Sequence, residues 1–162
     1  MTERAPAPGG LALVEALINT LRVDTGEDRL AAEFGLSGAA LTEAADLREA
    51  LRAACLAHAG HAMSDAAHAG LNDVLAAAPL TLSVTPDGTA ALRPTGDGLP
   101  ARVAAAIAEA VAAGTWQRLK ACAADDCRWA YYDRSPAGRG RWCTMSVCGS
   151  RAKMRTYRSR QS

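Results

Sequence analysis

Four cysteines in the last quarter of the chain, Cys122, Cys127, Cys143 and Cys148, fall in the spacing C-x4-C-x15-C-x4-C. Two short pairs of thiols separated by a loop supply four tetrahedral ligands with little chain ordering beyond two knuckles, and that is what a structural zinc ion needs. The spacing predicts one structural Zn2+ held by all four. A zinc ion that already holds four thiolates has no open position for activating water, so the centre reads as a scaffold and not as a catalyst. About 45 residues with one small apolar cluster do not hold themselves together, whereas a structural zinc supplies roughly 10 to 16 kcal/mol of apparent binding energy.

The remaining length bounds the architecture. A chain of 162 residues that is 49% hydrophobic buries one moderate core plus a small appended module. No apolar run approaches the roughly 18 to 20 residues of a bilayer span, and MTERAPAPGG lacks a basic start followed by an apolar stretch. The expectation is therefore a cytoplasmic protein without a membrane partner. In a reducing compartment, closely spaced cysteine pairs are metal ligands in preference to disulfides, and the odd Cys55 argues against a disulfide framework.

A formal net charge of +1 hides a division. Residues 1–117 carry 7 Lys and Arg against 14 Asp and Glu, net −7, while residues 118–162 carry 11 against 3, net +8. Four ionised thiolates and one zinc would lower the module to about +6, which exceeds what neutralising the anionic centre requires.

Thr2 to Gly10 has no apolar periodicity and reads as a flexible lead-in, giving residues 1–10 as N-terminus, 11–116 as a helical domain with a β-hairpin and 117–162 as the zinc module. Leu11, Val14, Leu17, Ile18 and Leu21 recur at helical spacing. A polar break spans Asp24 to Asp28, and a second helix is predicted from Thr42, as its cap, to Ala59, with Leu47, Leu51, Ala54 and Cys55 inward. A third runs between Ser64 and Pro79. LTLSV and TAALR flank Thr85-Pro86-Asp87-Gly88 and predict a hairpin in which Leu80, Leu82 and Val84 share a face. Leu99 to Ala113 returns to helix, with Pro100 in its first turn, Gly114 at its end and Val103, Ile107 and Val111 every four residues. The fold class is α+β.

Within the module, RWAYYD predicts a short strand, Ser135 to Gly140 a return of the chain, and Trp142 a packing role over the knuckle, with stacking on a base as the rival. After Cys148 and Gly149 a basic helix is predicted, capped by Ser150. Arg151, Arg155 and Arg158 gather within about 60° of one another on it, and Val147, Met154 and Tyr157 form a flank expected to pack. Arg139, Arg141, Arg151, Lys153, Arg155, Arg158 and Arg160 are the candidate nucleic-acid contacts, to phosphates or to guanine edges. A solvated terminal helix is the plainer alternative.

These residues resemble the CGNR zinc fingers, named for Cys-Gly-Asn-Arg at the fourth ligand. Trp142-Cys143-Thr144-Met145-Ser146-Val147-Cys148-Gly149-Ser150-Arg151-Ala152-Lys153 is similar to the core motif, and Cys122, Cys127 and Tyr132-Asp133-Arg134-Ser135 also fit. Upstream, LINTL and the order helix, hairpin, helix resemble the companion domain called ABATE. The resemblance implies a bacterial stress-induced transcription regulator whose zinc module binds DNA. The chain departs from the signature at Ser150, where Asn is expected; as helix caps the two are near equals.

Weaker constellations are Cys55, His58, His61 and His68, which i+6 spacing spreads around a helix, and Asp125, Asp126 and Asp133, which suit turns and pairing with arginines. No nucleophile, base and acid constellation is evident, so the expectation is not an enzyme. It is a zinc-dependent nucleic-acid-binding protein, for DNA ahead of RNA, with an N-terminal domain that senses a small-molecule effector or forms a homodimer. The rival is an interaction or ligand-binding protein with the zinc module as scaffold.

Overall fold

A computed structural model of the chain describes residues 5–159. Helix α1 (Leu11–Ile18) buries Leu11, Val14, Leu17 and Ile18 on the predicted stripe. The polar stretch after it turns back on itself through a bridge between Leu21 and Asp28. A short helix α2 (Leu30–Phe34), which five residues are too few to announce by periodicity, follows; the Asp28 carboxylate accepts from the Leu30 N–H at 3.0 Å and opens it.

Helix α3 (Gly38–Ala57) starts earlier than the sequence predicts. Extended Ser37 precedes it, and Thr42 is not its cap but lies inside the first turns, its hydroxyl donating to the Gly38 carbonyl at 3.5 Å. The added turn brings Leu41 against the core. Leu47, Leu51, Ala54 and Cys55 face inward as expected. Ser64 caps α4 (Asp65–Ala76), its Oγ accepting from the Ala67 N–H at 3.2 Å.

Strands β1 (Leu80–Val84) and β2 (Ala90–Pro94) pair antiparallel with Leu82 opposite Leu92 and Val84 opposite Ala90. The shared apolar face turns to solvent: Leu82 and Val84 are each 66% exposed and Leu92 50%. Helix α5 (Leu99–Ala112) buries Ala101, Val103, Ala104, Ala106 and Ala110. Of the residues repeating every four, Val103 is buried and Ile107 packs against the core, while Val111, next to the helix end, is exposed.

After a 3-10 turn at Trp116–Arg118, β3 (Leu119–Ala121) pairs antiparallel with β4 (Ala130–Tyr132). Leu119, Ala121 and Ala130, all fully buried, belong to the same core as α1, α3 and α5. The core thus runs across the sequence boundary at residue 117, and the zinc module grows out of it. At the other end, Ala7 is buried, its N–H donates to Glu15 Oε2 at 2.6 Å, and Arg134 donates to the carbonyls of Ala5 and Pro6. The part of residues 1–10 that is described is therefore docked on the domain. A π turn (Met145–Gly149) leads into α6 (Ser150–Ser159). Among the described residues no helix is long and apolar enough to cross a membrane.

Candidate metal centre and basic helix

The first cysteine pair is placed by the core. Cys122 directly follows β3, and its N–H donates to the Trp129 carbonyl at 2.9 Å. Between Cys122 and β4 the chain turns on the Ala124 carbonyl, which accepts from Cys127 at 3.0 Å and Arg128 at 3.1 Å. Arg128 closes this knuckle with φ of +54°, a left-handed backbone that side chains seldom adopt. Its carbonyl is held by Arg52 Nη1 at 3.1 Å, so a buried arginine of α3 secures the strained residue.

The second pair is placed by the π turn. The Gly149 N–H donates to the Thr144 carbonyl at 3.0 Å, and a Cβ on Gly149 would stand 2.9 Å from Met145 Sδ and 3.4 Å from Trp142 Cδ1. Gly149 thus leaves room for Met145 and Trp142 to approach the turn. Trp142 packs against the buried group of Cys122, Ala124 and Cys148, as its position before Cys143 predicts. The Ala123 N–H donates to the Arg141 carbonyl at 2.9 Å and ties the two halves together.

The four sulfurs lie within 4.8 Å of one another, with Cys127 to Cys143 and Cys143 to Cys148 at 3.6 Å. Tetrahedral coordination at about 2.3 Å per Zn–S bond places sulfurs roughly 3.8 Å apart, so the donor set fits one zinc ion. Where protons hold the cluster instead, hydrogen bonds from Cys127 and Cys143 pull the Cys122 thiol strongly down, and the same bonds push Cys127 and Cys143 up. Metal binding releases those protons.

A buried ion pair braces the loop between the cysteine pairs. Lys120 Nζ meets Asp133 Oδ2 at 3.0 Å, both side chains about 95% covered, and also donates to the carbonyls of Gly138 and Gly140. Burial alone would raise the Asp133 carboxyl. The hydrogen bonds of Ser135 and Lys120 and the Gly140 N–H at 2.7 Å outweigh it and hold the group well below the usual carboxylate range. A Cβ on Gly140 would stand 2.9 Å from that carboxylate. Arg118 donates to the carbonyls of Asp133, Ser135 and Pro136.

The module's cations divide accordingly. Arg118, Lys120, Arg128 and Arg134 are engaged within the fold, Arg128 with Asp125 and Arg134 with Ala5, Pro6 and the Tyr132 ring. Arg139 and Arg141 are exposed, the latter 5.9 Å from the Trp142 ring centre. Arg151, Lys153, Arg155 and Arg158 stand exposed on α6, and Arg151 reaches Asp126 at 3.5 Å. Arg160 lies outside the described residues.

Two expectations about α6 are corrected. Ser150 does not cap it: the residue is already helical and its hydroxyl donates back to the Met145 carbonyl at 3.1 Å, because the π turn feeds straight into the helix. Nor does Val147, Met154 and Tyr157 form a packed flank. All three are exposed, by 47%, 52% and 60%, since α6 touches little besides the π turn that launches it.

The other constellations separate. Among the described residues only the four zinc-module cysteines form a metal-ligating group. Cys55 is buried core. The His58 Nδ1–H donates to the Leu119 carbonyl at 2.7 Å, which fixes its tautomer because a carbonyl only accepts; burial lowers its pKa, and its ring stands edge-on to Trp116. The sequence reading missed the braces: Asn19, Arg52 and His58 on one side, and the Lys120 to Asp133 pair on the other. Their spacing carries no motif, and only the folded chain brings them to the module.

The CGNR zinc finger family matches residues 118–161, just over a quarter of the chain. That segment runs from the residue before β3 through α6 and includes all four cysteines. No curated protein matches the chain.

Proposed function

We propose that this protein is a non-enzymatic, zinc-dependent nucleic-acid-binding regulator in which α6 is the contact element. The single observation that carries the reading is a solvent-exposed helix bearing Arg151, Lys153, Arg155 and Arg158, rooted at Cys148 and Gly149 of the metal site. Arg139, Arg141 and the α6 cations Arg151, Lys153, Arg155 and Arg158 are all exposed, and Arg151 also pairs with Asp126. Zinc acts at a distance here: it fixes the π turn and thereby the direction in which α6 leaves the core. A bacterial transcription regulator of stress responses, acting in the cytoplasm, is the setting that the CGNR resemblance suggests.

The test is a titration of zinc-loaded protein with mixed-sequence duplex DNA at several salt concentrations. Contact with about six phosphates gives a slope of log affinity against log salt of roughly −5. Salt-insensitive binding, or none, sinks the proposal.

The N-terminal domain serves self-association or effector sensing in this reading. The observation favouring self-association is the outward apolar face of β1 and β2, carrying Leu82, Val84 and Leu92. For an effector, the place to look is the cleft of about 430 Å³ beside His58, Gln117, Arg118 and Lys120, at the seam between α3 and the module.

A further inference from the structure

The exposed apolar residues of α6 ask for an explanation that its charges do not supply. Met154 and Tyr157 are 52% and 60% exposed on a helix with no buried residue. At 100° per residue they lie about 60° apart and form one ridge. Arg158, Arg151 and Arg155 follow on one side of that ridge over roughly the next 100°, and Lys153 stands about 40° beyond it on the other. Ala152, half-buried, lies on the far side of the helix. The outward surface is therefore an apolar ridge with cations on both flanks.

We infer that α6 enters the major groove of duplex DNA, with Met154 and Tyr157 packed on thymine methyl groups and the flanking cations on the phosphates of both strands. This rests on the nucleic-acid reading above and names the nucleic acid and the base feature that it implies. The match is one of shape, charge and chemistry together. A helix with its side chains is about 10 to 12 Å across and the major groove about 12 Å wide, whereas the corresponding groove of an RNA duplex is too narrow for side chains to read. Phosphates line both walls, which suits cations on both sides of the ridge. At the floor the apolar feature is the C5-methyl of thymine, which uracil lacks. Phosphate contact alone leaves two large apolar side chains in water, and a groove floor with methyls covers them.

The experiment uses the full-length, zinc-loaded protein and a duplex enriched by selection from random DNA, remade with deoxyuridine in place of thymidine and as an RNA duplex. The expected result is a loss of about fourfold in affinity for each methyl buried, weak binding to the RNA duplex, and no thymine preference in the Met154→Ser, Tyr157→Ser double variant. That variant should keep its zinc stoichiometry and helical content, because neither residue is buried, and its salt slope should be unchanged. Equal affinity for thymidine and deoxyuridine duplexes with the salt slope intact overturns this inference while the nucleic-acid reading stands. So does preferred binding to the RNA duplex, or a loss of self-association as the main effect of the double variant. Absence of salt-dependent binding to every probe removes the nucleic-acid reading itself.

Discussion

The molecule contains two antiparallel hairpins with opposite fates. β1–β2 is five residues per strand, opens on a Pro-Asp-Gly turn, and holds its apolar face to solvent. β3–β4 is three per strand, has a long knuckle for a turn, and is buried on both faces, with Leu119, Ala121 and Ala130 at 0% exposure and Tyr131 at 2%. Regularity and stability part company here. The longer hairpin is specified by turn chemistry and β propensity and rests on α5, while the shorter one exists because the core and the metal site hold it from two sides. Asn19 makes this plain: its side chain gives Nδ2 to the Ala130 carbonyl at 3.0 Å and takes the Ala130 N–H on Oδ1 at 2.8 Å, as a neighbouring strand would. The zinc module is thus fused to the helical core through β3–β4, and free of it at α6.

Removing the metal tests that fusion most severely. Chelation should cost roughly the 10 to 16 kcal/mol of a structural zinc site, and because β3–β4 lies in the main core the loss should lower the unfolding temperature of the helical domain in one transition. Calorimetry with and without chelator checks this; an unchanged helical transition beside a lost module would mean that the two cores are separable. Next in size is Asp133→Asn, which leaves Lys120 buried without its partner and should cost about 3 to 5 kcal/mol. The pH dependence has a definite sign. The folded Asp133 carboxyl is held low, so its contribution is fully present above the unfolded value near pH 4 and fades as pH falls below it. Chemical denaturation of wild type and variant should accordingly differ by the full amount at neutral pH and converge in acid.

Smaller again is Asn19→Ala, which leaves the buried N–H and carbonyl of Ala130 unpaired and should cost about 2 to 4 kcal/mol. Hydrogen exchange at Ala130 is the direct readout, and a cost below about 0.5 kcal/mol would mean that Asn19 is not a strand surrogate.

These braces were beyond the reach of sequence reading for a physical reason. The cysteine pairs, the β1–β2 turn, the α1 stripe as far as Ile18 and the start of α4 after Ser64 are local patterns, and each is legible in the sequence. Contacts such as Asn19 to Ala130, 111 positions apart, or Arg52 to Arg128, 76 apart, are set by tertiary packing and carry no local signature. The errors have the same origin. Val147, Met154 and Tyr157 are expected to pack because apolar residues at helical spacing usually face a core, yet periodicity says which residues share a face without saying what that face meets. At the candidate site the ligands were legible as a set. The direction of α6 was not, because the π turn that sets it depends on Gly149 leaving room for Met145 and Trp142.

The smallest effect belongs to the outward hairpin and discriminates most finely. Leu82 and Leu92 face each other across β1–β2 with more than half or half of their surface in water. Within one molecule the Leu82→Ser, Leu92→Ser double variant should therefore change stability by no more than about 0.5 kcal/mol, the range for surface substitutions, despite losing two large apolar groups. If copies associate through this face, the wild type's unfolding temperature rises with protein concentration and the variant's does not, because binding to the folded state alone stabilises by mass action. Sedimentation velocity on both proteins separates the cases. Equal, concentration-independent behaviour would leave β1–β2 a locally formed ornament of the core, whereas a concentration dependence lost in the variant would give its outward apolar face the same kind of tertiary reason that β3–β4 already has.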